Sequence, residues 1–400
     1  MTAAPLAARP RNFGLDLLRL AAIGGVLALH GYFGFFLNTG QVAWGGTGAA
    51  LSAIAAMFSL DWFFVLSGFL IGSMMIRSFD ADPRWWVGAR DFWLRRWFRT
   101  VPNYYLFLLL HVALAAWGVT QGQFRGSFAV FSQNLAWPEQ QPLFFAEAWS
   151  LALEEWFYVL MPLLLGVLAW LPGLQRRDRF WLVAALLILT PTLLRMLAAP
   201  STDFFDWDAR VRRITVMHLD SAGWGVVAAI VNRWHPGWWR LGQGVGALAG
   251  VLLMALATAA MWHFMQVDWQ AFGAAGRFND LARITAPALG TALTLPWLAG
   301  RATAPAPVRR LAGRLADYVY SAYLCHYPLT ILVWRAAQAP EGGPAWPVWL
   351  LIAAWLLAVL AVSALVFHAF ERPVASLRDR WTRRVPAGPF QAAPTGDRSP

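Results

Sequence analysis

Lysine is absent from this sequence: all 32 basic residues are arginine. Charge of either sign is scarce, at 13% of residues, about half of what a soluble domain carries. That shortage excludes an ordinary soluble surface for a 400-residue chain. Cysteine is reduced to Cys325, which rules out an intrachain disulfide and leaves the redox compartment undetermined. The HExxH and CxxC spacings of common metal sites are missing. So are a Walker-type Gly-Lys loop and a GxGxxG opening a helix after a strand. No secretory signal fits, because the first apolar run, from Leu15, is too long and lacks a small-residue cleavage site. It reads as a retained helix.

Apolar surface is abundant instead. Hydrophobic residues make up 58% of the chain, mean hydropathy is +0.48, and there are 25 Trp and 27 Phe. A soluble core of this size does not need so much; a bilayer-embedded bundle does, and indole rings gather at its interfaces. The net charge of +11 and pI near 10.8 would suit nucleic acid. The arginines, however, sit in short loops between apolar spans rather than on one basic face, so no nucleic-acid partner is expected.

With about 20 apolar residues needed per crossing, the pattern predicts helices at roughly 14–37, 51–76, 102–119, 148–171, 180–198, 216–232, 241–264, 283–300, 315–337 and 347–370. The expected fold is all-α, an integral membrane bundle of about ten transmembrane helices. Residues 1–13 form a cytoplasmic segment, 14–372 the membrane domain, and 373–400 a largely disordered tail. A cytoplasmic N-terminus puts about 23 of the 32 arginines inside and about 7 outside. Both termini are then cytoplasmic. The external segments 120–147 and 199–215 are the longest loops on that side; their aromatics and carboxylates, Trp137 and Glu147 among them, suit either a sugar ring or a membrane interface.

A charge at bilayer depth costs several kcal/mol, so each one needs a partner or a task. The first helix carries Asp16, Arg19 and His30 on one face, with Arg19 about 20° and Asp16 about 40° from His30 around its axis. Gly24, Gly25 and Gly31 permit close approach on that helix. Glu154, in AWSLALEEWFY, comes from a helix of opposite direction and shares a depth with His30. A carboxylate there can set the imidazole's tautomer and raise its basicity. The plainer alternatives are helix glue for His30 and a salt bridge from Glu154 to Arg19 or Arg195.

In the second helix, Asp61 is another intramembrane carboxylate, and Ser67 and Gly68 form a small pair suited to packing or, less simply, a Ser67 nucleophile without a hydrolase elbow. In a cytoplasmic loop DFWLRRWFRTVPNYY, Arg96 and Arg99 are three apart and would project together, a fork for phosphates or simply positive-inside charge. His326, beside Tyr323 in DYVYSAYLCHYPL, lines a cavity or fills the core. His111, His263 and His368 have no constellation around them.

These segments together resemble the membrane-bound acyltransferase 3 family, bacterial O-acyltransferases of surface sugars and some secondary metabolites. The matching strings are LDLLRLAAIGGVLALH, DWFFVLSGFLIG, RRWFRTVPNYY, AWSLALEEWFY, YSAYLCHYP and FERP, in family order over about residues 12–380. The resemblance implies that an acyl group, usually acetyl from acetyl-CoA, is delivered to a hydroxyl on the external side of the bacterial cytoplasmic (inner) membrane. The acceptor would be a surface glycan or lipid-linked sugar. No cofactor is bound permanently; acyl-CoA is a co-substrate, and membrane lipids are the other partners.

Carried onto this chain, His30 matches the family's essential histidine and Arg19 its first-helix arginine. Arg96 and Arg99 match the R-x-x-R motif, Glu154 the glutamate of WSL-x-x-E, and Ser67 and Gly68 the SGF motif. His30, oriented by Glu154 or Asp61, would be the catalytic base. Ser67, Gly68, Arg96 and Arg99 would hold acyl-CoA, and Arg19 would line its path or steady the oxyanion. One departure stands out: His218 occupies the place where many members have an arginine two residues before the aspartate, here Asp220. Asp61, His218, Asp220 and His326 are therefore substrate-side candidates. The family's frequent C-terminal hydrolase-like domain is not expected in this chain. A transporter or flippase of sugar-linked lipids is the competing class, and it predicts inverted repeats that the sequence does not display.

Overall fold

The computed structural model describes residues 11–36, 47–81, 84–267, 272–339 and 344–382. The first ten residues and the segment after 382, including the tail expected to be disordered, lie outside the described residues, as does the end of the first predicted helix at Leu37. Among the described residues the fold is all helical, with no sheet.

Ten helices of fifteen residues or more occupy the places where apolar runs predict them. They are α1 (Phe13–Gly31), α2 (Thr47–Ala81), α3 (Trp85–Ala116), α4 (Ala148–Ala169) and α5 (Arg176–Leu197). The second half comprises α6 (Asp220–Trp234), α7 (Ala247–Val267), α8 (Gly276–Gly300), α9 (Ala306–Ala336) and α10 (Val348–Val366). Six stretches, those containing α1, α2, α4, α5, α7 and α10, are long and apolar enough to cross a membrane. The other four carry much of the buried polar material, such as Asn103, Asp220, Arg283 and His326. Their average hydropathy is lowered by groups that face the bundle rather than lipid.

The outer surface is apolar in the manner of a lipid-facing one. Leu182, Leu186, Leu189 and Leu193 on α5, and Leu356, Leu357 and Leu360 on α10, are exposed at helical spacing. The interior closes around α2, which packs on α1 and α6. A Cβ on Gly25 would meet Ser59 Oγ at 1.9 Å, and one on Gly68 would meet the Ala222 carbonyl at 2.0 Å. Gly225 returns the second contact against Val65, so α2 and α6 touch backbone to backbone as small residues permit in membrane bundles. Gly24, in contrast, faces open space.

One sequence expectation changes. The basic segment DFWLRRWFRT is the first half of the 32-residue α3, not a loop; the helix runs through Pro102. After α10 the chain stays helical through Phe367–Glu371 and Arg372–Leu377. Helices α5 and α9 likewise continue through Pro191 and Pro328.

Candidate active site

Helix α1 joins two polar regions. At its N-terminal end Asp16 accepts from Arg19 at 2.6 Å and pairs with Arg11 at 3.3 Å. Arg11 also forks onto Asp317 of α9, at 2.9 and 3.0 Å. Arg11, Arg19, Arg99, Arg372 and Arg378 line a cleft of about 380 Å³, in which Asp317, Glu371 and Asp379 are the facing carboxylates. Because Arg11 and Arg378 share this cleft, the two described ends of the chain lie at the same end of the bundle. The cleft is a convergence of guanidinium groups on open space, the chemistry that binds phosphates.

The R-x-x-R pair is divided by the structure. Arg99 is exposed in the cleft, while Arg96, one turn along, turns inward. Arg96 Nη2 donates to Glu154 Oε2 at 3.1 Å and to the Tyr158 hydroxyl, with its guanidinium 4.0 Å above the Tyr158 ring. Tyr158 donates to the same Glu154 oxygen at 2.6 Å, and Ser67 Oγ donates to Oε1 at 3.0 Å. Thr100 caps the adjacent Glu155 at 2.8 Å, and Asn103 donates to Ser321 at 3.1 Å. Arg96, Thr100, Asn103 and His111 thus form a polar stripe along α3, about 22 Å long at 1.5 Å per residue.

This network answers several expectations. Both oxygens of Glu154 are held by Ser67, Arg96 and Tyr158, so Glu154 bonds neither His30 nor the arginines 19 and 195. Ser67 and Gly68 have separate tasks: Ser67 reaches Glu154, and Gly68 is filled by the α6 backbone. Asp61, the other carboxylate expected beside His30, accepts from Ser221 at 2.6 Å and lies 3.1 Å from His218 Nε2. Asp220 forms a fully buried two-pronged pair with Arg195, at 3.0 and 2.6 Å. It is positioned to hold α5 to α6.

The second polar region surrounds His30, eleven residues and about 16 Å along α1 from Arg19. Its ring packs edge-on against His326, centroids 4.7 Å apart, and against Tyr327 at 5.5 Å. His326 Nδ1 lies 2.6 Å from the Tyr323 carbonyl, which fixes the ring; its buried Nε2 has no partner among the described residues. Tyr323 in turn shares a 2.5 Å hydrogen bond with Ser150 of the WSL segment. Histidines from α1 and α9 therefore meet, and the pair lies where α4 begins.

Arg212 and Arg213, which sequence patterning passed over as ordinary loop charge, complete this end. Asp208 accepts from both, at 2.7 and 2.6 Å, and holds its carboxyl below the usual carboxylate range by virtue of those cations. The Arg212 guanidinium lies 4.9 Å above the Trp149 ring, which also stacks on His218. Both arginines lie within electrostatic reach of His30, and Arg213 Nη1 is buried without a partner. The only hint in sequence was a carboxylate four and five residues before a pair of arginines, the spacing of helical ion pairs. Tyr158, four residues after Glu154, was legible by the same rule and was not singled out.

The arrangement offers an arginine-lined cleft at one end, a histidine pair and an arginine with one unpaired N–H group at the other, and hydrogen-bonding side chains between them. The profile of an acyltransferase domain matches residues 12–368. The chain is 24% identical over 394 residues to a Bacillus subtilis protein named "Putative peptidoglycan O-acetyltransferase YrhL", covering 93% of this chain and 56% of YrhL. It is 29% identical over 171 residues to the O-acetyltransferase OatA of Staphylococcus aureus, covering 39% of this chain and 25% of OatA. The chain thus spans a little over half the length of the first relative and a quarter of the second. No solved structure matches. With the profile running from the start of α1 to the end of α10, the chain belongs to the acyltransferase 3 family.

Proposed function

We propose that the protein transfers an acyl group, most simply acetyl, from acyl-CoA in the cytoplasm to a hydroxyl of an extracytoplasmic glycan or glycosylated metabolite. The long helices would all span the bacterial inner membrane, giving ten crossings with both termini inside. The arginine bias supports that orientation, and it puts the Arg19–Arg99 cleft on the side where acyl-CoA is found. The observation that carries the reading is that one helix, α1, presents an arginine to this cleft and a histidine to the opposite polar region.

In the proposed reaction, Arg19 and Arg99, with Arg11 beside them, hold the phosphates of the donor. Its flexible arm reaches along the α3 stripe toward His30. His30 accepts the proton of the acceptor hydroxyl as that oxygen attacks the acyl carbon. The carbon–sulfur bond breaks, the thiolate leaves, and the proton passes from His30 to sulfur. General-base catalysis of this kind contributes typically 10²–10⁴-fold. Arg213 Nη1, buried without a partner, would steady the developing oxyanion in place of Arg19, which lies too far along the helix. Arg96 and Glu154 act as positioning residues that hold the wall of the path. Family membership and relatives named as O-acetyltransferases support this reading.

The test is transfer of label from acetyl-CoA to isolated surface glycan by membranes containing the wild-type protein or His30→Ala. Label with wild type and a loss of at least 100-fold with the variant is the expected result. Equal labelling at equal expression removes His30 from the mechanism. If neither labels the glycan, and ester-linked acyl groups are also the same in deletion and parent cells, the function itself is refuted.

A further inference from the structure

The segment between α3 and α4 folds over the histidine end of the bundle and encloses a pocket of about 270 Å³. It is tied down on several sides. Arg335 at the end of α9 donates to the Gly118 carbonyl at 3.0 Å, Tyr104 to the Phe128 carbonyl at 2.9 Å, and Thr215 N to the Asn134 carbonyl at 2.9 Å. Phe128 and Phe144 form an apolar floor, with ring centroids 5.2 Å apart.

The lining is unusual in its amide content: five glutamines share it with three aromatics, one carboxyl and one arginine. Gln133 is 4% exposed, and its Nε2 is committed to the Ala148 carbonyl at 3.1 Å, while Oε1 has no partner. Both oxygens of Glu139 are also buried without a partner. Buried polar atoms are rarely left unpaired, at a cost of about 1–3 kcal/mol each, and three in one pocket point to a ligand that supplies donors. Trp137, 53% exposed, gives the pocket a flat apolar face at its rim.

From this chemistry we infer that the Gln133–Trp137–Glu139 pocket is a subsite for one neutral sugar ring of the acceptor glycan. An apolar ring face suits Trp137, and hydroxyl groups suit Gln133 Oε1 and the Glu139 carboxyl. The volume lies just under the usual range of about 300–1,000 Å³ for small-ligand sites, which fits one ring rather than a long stretch of chain. An anionic ligand is disfavoured by Glu139 and a cationic one by Arg125. The pocket adjoins the start of α4: Gln133 bonds the carbonyl of Ala148, two residues before the Ser150 that holds Tyr323 against His326. The subsite rests on the proposal that a glycan is the acceptor.

The experiment is saturation-transfer NMR on the full chain in nanodiscs, with glucose, N-acetylglucosamine, cellobiose and chitobiose as probes. Wild type should bind at least one of them. Trp137→Ala, at an exposed position, should weaken that binding at least tenfold, Trp137→Phe should restore part of it, and Glu139→Gln should weaken it measurably. In the glycan-labelling assay the Trp137→Ala loss should fall on KM for the glycan and not on kcat. Absence of binding by wild type to every probe, or binding indifferent to Trp137, overturns the subsite. Saccharide binding does not require turnover. Intact, Trp137-dependent binding by a protein that never acylates glycan would therefore overturn the proposed reaction and leave the subsite standing.

Discussion

Removing the Asp220 carboxylate should be among the most damaging single changes to this fold, and for a structural reason. Asp220 and Arg195 are both fully buried, and the carboxylate receives two guanidinium hydrogen bonds, at 3.0 and 2.6 Å. In Asp220→Ala the guanidinium keeps the Met217 carbonyl at 2.5 Å and the longer contacts with Thr192 and Thr285, at 3.4 and 3.3 Å. It loses its counter-charge, and its Nε already lacks a partner. Orphaning one member of a buried pair costs about 3–5 kcal/mol, or roughly 10² to 10⁴ in the folding equilibrium. The double variant Arg195→Met, Asp220→Leu removes both charges and conserves bulk, and such replacements are often neutral or stabilising by about 1–4 kcal/mol. Equilibrium unfolding in mixed micelles across the cycle of two single variants and the double measures the coupling. If Asp220→Ala costs less than about 1 kcal/mol, or the double is as damaged as the single, the pair is not what joins α5 to α6. Asp220 would then return as a substrate contact.

Two more perturbations follow from the geometry. Gly68→Val places a side chain where the Ala222 carbonyl and the Gly225 Cα already stand, at 2.0 and 3.0 Å from the first added carbon. Backbone cannot yield as a side chain tip can, so folded yield from membranes, measured by fluorescence-detected gel filtration, should fall several-fold. The same change at Gly24, which faces open space, should be tolerated. Glu139 supplies a pH dependence, since burial in its loop pocket raises its carboxyl to about 7. A carboxyl raised in the folded state favours the protonated form there. Stability is therefore greatest below about 4.5 and declines as pH rises to about 7, on the order of 3 kcal/mol before solvent at the pocket mouth reduces it. Glu139→Gln should flatten that part of the stability–pH curve, and an unchanged slope would show that the group titrates normally.

Much of the bundle is legible in the sequence because lipid and interior make different demands. A continuous apolar run of about 20 residues has few alternatives to a helix in a membrane, and among the described residues ten long helices stand where runs were read, six of them in stretches apolar enough to cross. The charged residues were legible as a set, since each intramembrane charge demands a partner, but their pairings were not. Asp16 with Arg19 is a local i,i+3 contact and could be read directly. Glu154 with Arg96 joins α4 to α3 across 58 residues, and depth matching alone favoured His30 just as well. The segment around Arg96 read as a loop because Pro102 and five arginines between 84 and 99 break the apolar pattern. In the fold, Pro102 is accommodated within the helix, Arg99 faces the cleft and Arg96 reaches Glu154. The pocket under the α3–α4 segment was foreshadowed only by the aromatics and carboxylates of residues 120–147, Trp137 among them, because backbone contacts to distant loops shape it.

The placement of Arg19 and His30 on one stripe of α1 has a consequence for how such a protein must work. An azimuthal match suggests a shared task, yet about 16 Å separates the two residues along the axis, too far for one small group to touch both. Asp16 holds Arg19 in the cleft, and His326 with Tyr327 walls His30 at the far end. A ligand that engages both must therefore be long, charged at one end and reactive at the other. That is the build of an acyl thioester on an extended arm with a phosphorylated head. A transporter moving one compact solute would have no use for two fixed sites at opposite ends of the same rigid helix. It would need one midplane site flanked by broken helices, and α1 is unbroken from Phe13 to Gly31. The continuity of that helix, together with the division of its charges, favours relay of an acyl group through the bundle over movement of a whole molecule across it.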